Sequence, residues 1–100
     1  MLKVYGSDIC GDCRFFKTLM AERGFGVEYI DMTENVRNLR EFLVLRDHSD
    51  AFAGVRERGS IGIPAFVNED GQVTVDLNTA LAWIGQAPVE EEDEGCATCK

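Results

Sequence analysis

Two cysteines three residues apart, Cys10 and Cys13, have the residue types and spacing that most clearly predict chemistry in this chain. They lie where a short apolar segment gives way to an amphipathic stretch, which predicts a strand-to-helix turn. Helical geometry brings residues three apart onto one face, so the two thiols are able to close a disulfide. The start of a helix has unpaired N–H groups and a partial positive charge, and both favour a thiolate over a thiol. The pattern therefore predicts a redox dithiol in which Cys10 attacks and Cys13 resolves.

A second pair with the same spacing, Cys96 and Cys99, keeps other interpretations open. Four thiolates suit tetrahedral zinc, and cysteines also ligate iron–sulfur clusters, so a metal or iron–sulfur protein is the alternative hypothesis. Against it, the two pairs lie at opposite ends of the chain, whereas zinc ribbons separate their pairs by about 15–20 residues. Two further interpretations of the second pair stay open: a relay that exchanges electrons with the first pair, or two incidental thiols. A binding module without catalysis is the third hypothesis.

Composition bounds the class of protein. The chain has 100 residues and a formal net charge of −8, with a run of acids at 90–94. This run predicts a flexible acidic tail over 89–100, following a single domain over 1–88. The acidity excludes a nucleic-acid partner. No apolar run is long enough for a membrane span, and the first residues look like a strand rather than a signal peptide, so a cytoplasmic protein is predicted.

Hydrophobic periodicity and turn residues predict the order β-α-β-α-β-β-α. Strands over 2–5 and 27–31 flank a helix over 11–23, and this unit predicts parallel strands joined by a right-handed crossover. A second helix begins after a cap at Thr33 or Asn35, and a shorter helical piece follows it.

The second half of the chain predicts a hairpin and a last helix. Pro64 begins the third strand, where proline is tolerated, and a turn at 69–71 leads into an antiparallel strand over 72–75. Asp76 or Asn78 then caps the last helix. Together these segments predict an α/β fold around a central four-stranded mixed sheet.

The element order, the Cys10–Cys13 pair at the first strand-to-helix turn and the Ile63-Pro64 dipeptide before the third strand resemble the thioredoxin fold. The short length resembles its glutaredoxin branch. By this resemblance Cys10 is the nucleophile and Cys13 the resolving thiol. Pro64 would be a cis proline that faces the two cysteines.

The same resemblance implies a substrate site and an activity. Ile63 would offer its backbone to an extended substrate such as glutathione, and further candidate contacts are Asp76, Asn78 and Thr79. The implied activity is that of a thiol–disulfide oxidoreductase, which reduces protein or glutathione mixed disulfides without a bound cofactor or metal. Its partners would be a disulfide-containing protein or small molecule and a thiol donor or reductase, with glutathione as the candidate cosubstrate.

Charged residues next to the motif act in opposite directions. Asp8 and Asp12 oppose thiolate formation at Cys10, because a like charge disfavours the ionised form. Arg14 and Lys17 favour it for the opposite reason. The net effect of these four charges on Cys10 is left open by the sequence.

Overall fold

A four-stranded mixed sheet forms the centre of residues 1–89, the part of the chain that this computed structural model describes. Its strands are β1 (Lys3–Gly6), β2 (Glu28–Asp31), β3 (Ala65–Val67) and β4 (Val73–Thr74). They lie in the order β2-β1-β3-β4, with β1 and β2 parallel. The β1–β3 and β3–β4 pairs are antiparallel. The predicted α/β architecture with a four-stranded mixed sheet is confirmed.

Four α-helices and one 3-10 turn connect or follow the strands within the described residues. They are α1 (Gly11–Arg23), α2 (Val36–His48), the 3-10 turn Asp50–Phe52, α3 (Ala53–Arg58) and α4 (Leu77–Trp83). The predicted element order is confirmed, and the expected shorter helical piece between β2 and β3 consists of the 3-10 turn and α3. None of the helices in residues 1–89 is long and apolar enough to cross a membrane.

Local sequence signals set most of the helix ends. Asn35 caps α2 and Asp76 caps α4, because each side chain accepts a hydrogen bond from the backbone N–H three residues later. Gly24 and Gly59 end α1 and α3 in the left-handed conformation, with φ of 73° and 74°. A residue without a side chain adopts this conformation at little cost.

Two apolar clusters hold the sheet and helices together. Successive residues of a strand face opposite sides, so Tyr5 of β1 packs into one cluster and Val4 into the other. Cys13 and Ile63 belong to the same cluster as Tyr5. The first turn of α1 and the segment before β3 are therefore anchored in one core, which fixes their separation.

Candidate active site

The topology of the sheet brings the first cysteine next to the predicted proline. β1 and β3 are antiparallel, so the segment after β1 and the segment before β3 meet at one end of the sheet. There the Sγ of Cys10 lies 3.9 Å from the carbonyl oxygen of Ile63, in the geometry of a weak S–H···O hydrogen bond. The Ile63-Pro64 peptide bond is cis, as the resemblance implies. The structure therefore brings Cys10, Ile63 and Pro64 to one place.

The two thiols of the motif differ in exposure. Cys10 is the N-cap residue of α1 and is partly exposed, whereas Cys13 in the first turn is 0% exposed. Both are described as thiols rather than as a disulfide. Cys10 is therefore the more accessible of the two cysteines. A thiol-reactive molecule in the solvent can reach Cys10, whereas Cys13 lies in the core.

Burial keeps Cys13 in its protonated form. It raises the pKa of the Cys13 thiol to about 12, and negative charge on Cys10 acts in the same direction. Two donors partly oppose the rise in pKa: the backbone N–H of Ser7, 3.4 Å from Cys13 Sγ, and the hydroxyl of Tyr29. Cys13 is therefore a thiol at neutral pH and a poor first nucleophile, since the thiolate is the reactive species.

The charges next to the motif are arranged in local pairs. Lys17 Nζ lies 2.7 Å from Asp8 Oδ1, and Arg14 Nη1 donates to the backbone oxygen of Asp8 at 2.9 Å. Lys17 Nζ also lies 4.4 Å from the centroid of the Tyr29 ring. Both bases thus bind the loop before Cys10. The ion pair is largely exposed, so it contributes little to stability.

All three residues predicted as substrate contacts at the start of α4 are engaged within the protein. The Asp76 carboxylate accepts hydrogen bonds from the N–H and the hydroxyl of Thr79, at 2.9 Å and 2.7 Å. The Asn78 amide accepts from the N–H of Val89 at 2.9 Å and donates to its carbonyl at 3.4 Å. These contacts give Asp76 and Asn78 structural roles. Substrate binding by Asp76, Asn78 and Thr79 stays a prediction.

The start of α4 nevertheless lies at the Cys10 end of the sheet. β4 runs antiparallel to β3, so it ends where β3 begins, and α4 follows directly. Val75, just before α4, packs against the cluster that also contacts Cys10. The predicted substrate residues are therefore on the correct side of the sheet for the site.

The second cysteine pair lies outside the described residues. The metal, relay and incidental interpretations of Cys96 and Cys99 therefore stay predictions, as does the flexible tail over 89–100, of which the structure describes Val89 alone. Within residues 1–89, no group of three or more histidine, cysteine or acidic side chains is placed to hold a metal ion. Any four-thiolate site would need the second pair.

Sequence reasoning missed the residues that surround Cys13. The alternating pattern of β2 accounts for Tyr29 as a strand residue, without indicating that its hydroxyl reaches a cysteine. That proximity depends on the register of β1 and β2, which pairs Val4 with Tyr29. Gly6 is the last residue of β1, and a glycine in a strand often marks a close approach of other groups, but the predicted strand ended at residue 5 and did not include it.

The chain matches no protein-family model. No solved structure matches it significantly. A protein of Haemophilus influenzae is 28% identical to it over 75 residues, which are 75% of this chain and 87% of that protein. That relative is described only as an uncharacterized protein, so the similarity adds a related sequence and no activity.

Proposed function

We propose that this protein is a thiol–disulfide oxidoreductase with a thioredoxin-like fold of the glutaredoxin type. The observation that carries the proposal is the difference between the two thiols, since Cys10 is accessible at a helix start and Cys13 is buried one turn further on. The mixed sheet and the cis bond before Pro64, next to Cys10, are compatible with that fold. An attacking sulfur needs access, and a resolving sulfur needs shielding from substrates.

The reaction proceeds by two thiol–disulfide exchanges. The Cys10 thiolate attacks a disulfide R–S–S–R′, a Cys10–S–R bond forms, and R′–S⁻ leaves with the electron pair and takes up a proton. Cys13 then loses its proton and attacks Cys10 Sγ, which forms the Cys10–Cys13 disulfide and releases R–S⁻. The substrate gains two electrons and the dithiol loses two. Glutathione, another small thiol or a reductase restores the dithiol.

Two exposed apolar side chains, each within two residues of Cys10 or Ile63 along the chain, support a disulfide-containing peptide or protein as substrate. Ile9, directly before Cys10, is 83% exposed, and Ile61, two residues before Ile63, is 51% exposed. A contiguous exposed apolar patch is typical of an interaction surface, and we propose that these two residues contribute to one beside Cys10. The proposed compartment is the cytoplasm, because thiol donors are kept reduced there.

The test compares the reduction of insulin with that of a glutathione mixed disulfide, using glutathione or a thioredoxin reductase as donor. Cys10→Ser should abolish turnover, and Cys13→Ser should accumulate a mixed disulfide on Cys10 that mass spectrometry detects. A chain carrying Cys96→Ser and Cys99→Ser is the control for thiol content. Failure of the wild-type protein to reduce either substrate with either donor would overturn the proposal.

A further inference from the structure

Tyr29 on β2 places a hydroxyl group in the core next to the buried thiol. A methyl group built on Gly6 would come within 2.6 Å of Tyr29 Oη and 2.9 Å of Cys13 Sγ, so both atoms lie over the same glycine. In this dithiol form, Tyr29 Oη has no partner in full hydrogen-bond geometry among the described residues. Buried polar atoms of this kind are rare in native proteins and need an explanation.

Burial and the nearby charges decide whether the Tyr29 hydroxyl donates or accepts a hydrogen bond. Burial raises the pKa of Tyr29 above its ordinary value, and negative charge on Cys13, Asp8 and Asp31 adds to that rise. Lys17 lies over the face of the Tyr29 ring, with its Nζ 4.4 Å from the ring centroid. The phenol therefore keeps its proton through neutral pH and is a hydrogen-bond donor.

Cys13 needs such a donor at one point of the proposed reaction. Burial and negative charge on Cys10 raise the pKa of Cys13, whereas the Ser7 N–H and the Tyr29 hydroxyl lower it. In the mixed disulfide, Cys10 carries no charge, so burial is the main remaining obstacle to ionisation of Cys13. The two donors then decide how much thiolate forms.

We propose that Tyr29 is a positioning residue for the resolving step, donating a hydrogen bond to Cys13 Sγ when this sulfur becomes a thiolate, across the gap that Gly6 keeps open. The inference rests on the proposed function, because a resolving step requires a mixed disulfide on Cys10. In that step the Cys13 thiolate attacks Cys10 Sγ, and the Cys10–Cys13 bond forms. The bond to the substrate sulfur breaks, and R–S⁻ leaves with the electron pair and takes a proton from water. The phenol keeps its own proton throughout.

The first test needs no enzymatic activity. In a chain with Cys10→Ser, Cys96→Ser and Cys99→Ser, Cys13 is the only thiol, and its rate of alkylation by a small reagent at fixed mildly alkaline pH follows its thiolate fraction. Adding Tyr29→Phe should slow this alkylation about tenfold or more, as expected for loss of a hydrogen bond to an ion.

The matched control is Tyr5→Phe in the same chain. Tyr5 is also a largely buried tyrosine of the sheet, but its hydroxyl faces Glu41 Oε1 at 3.4 Å. This control should alkylate at the rate of its parent. Equal alkylation rates in the Tyr29→Phe chain and the control chain would overturn the proposal.

The second test follows the two exchanges separately in single turnovers of the full chain. Tyr29→Phe should leave the attack by Cys10 unchanged and slow release of the reduced product about tenfold. Raising the pH should restore the release rate, because it restores the Cys13 thiolate. Slowing of both steps alike, without rescue by pH, would mean that Tyr29 only supports the fold. A wild-type protein without disulfide exchange refutes the proposed function, while the alkylation test still decides the contact with Cys13.

Discussion

Two helices begin at the same end of the sheet, and their first residues differ in kind. α1 begins after Cys10, whose side chain makes no capping hydrogen bond, whereas α4 begins after Asp76, whose carboxylate caps the helix. A carboxylate at the N-cap satisfies backbone donors and stabilises a helix, while a sulfur there gives up this stabilisation. The start of α1 therefore keeps an accessible sulfur where a capping side chain would stabilise the helix, whereas the start of α4 has that stabilisation.

Replacing the sulfur at the N-cap of α1 with a capping hydroxyl should have the largest effect on activity. Cys10→Ser places a capping hydroxyl where the sulfur lies, so we expect disulfide reduction to be abolished and the free energy of unfolding to rise by about 1 kcal/mol. Insulin reduction and urea unfolding measure the two effects. A variant that loses activity and stability together would contradict the interpretation of this helix start.

The buried sulfur in the first turn of α1 should also link stability to pH. Burial raises the pKa of Cys13 from 9.0 to about 12, so between these values the unfolded chain releases a proton that the folded chain keeps. The contribution of Cys13 to stability is therefore present below about pH 9 and is lost as the pH rises towards 12. Urea unfolding of the reduced protein at several alkaline pH values measures it. The decline should be shallower in Cys13→Ala and unchanged in the Cys96→Ser, Cys99→Ser control.

Filling the space between Gly6, Tyr29 and Cys13 should destabilise the fold, but by less than the removal of a large core side chain would. Gly6→Ala puts a methyl group 2.6 Å from Tyr29 Oη and 2.9 Å from Cys13 Sγ, so both must shift. We expect a loss of about 1–3 kcal/mol in thermal or urea unfolding. Gly26→Ala is the matched control, since a methyl group there meets no atom within 4 Å. Equal stability of the two variants would show that the gap has no importance.

Removing the cap of α4 should have the smallest effect, a small loss of stability without a change in the exchange reactions of the dithiol. Asp76→Ala loses two hydrogen bonds to Thr79, so we expect about 1 kcal/mol of destabilisation with turnover of the dithiol unchanged. Asp70→Ala, on the exposed hairpin turn, is the control. A raised KM for a glutathione mixed disulfide at unchanged stability would instead support the predicted substrate role of Asp76.

Local signals explain what the sequence predicted well. The bounds predicted for α1 agree with the structure, because the turn before Cys10 and the stop at Gly24 both act within a few residues. β4 is shorter than the predicted 72–75, covering Val73–Thr74, since alternation over so few residues defines strand ends poorly. The cis bond before Pro64 followed from the family resemblance and not from residue physics.

Non-local contacts explain what the sequence did not predict. The approach of Tyr29 to Cys13 requires the observed register of β1 and β2, which pairs Val4 with Tyr29. Hydrophobic alternation within a strand does not indicate which residue of a neighbouring strand it pairs with. The engagement of Asn78 by Val89 joins the start of α4 to residues beyond its end. Both contacts depend on the assembled core, so spacing along the chain carries no sign of them.

The contact between Asn78 and Val89 also decides where labels and carriers can be attached. It holds Val89 at the Cys10 end of the sheet, where α4 begins. Met1 precedes the start of β1, at the opposite end, where its amino group pairs with Glu69. A fluorophore or surface linker placed ahead of Met1 therefore leaves the dithiol open to large substrates. The same group inserted directly after Val89 starts from the dithiol end of the sheet, where we expect it to hinder large substrates.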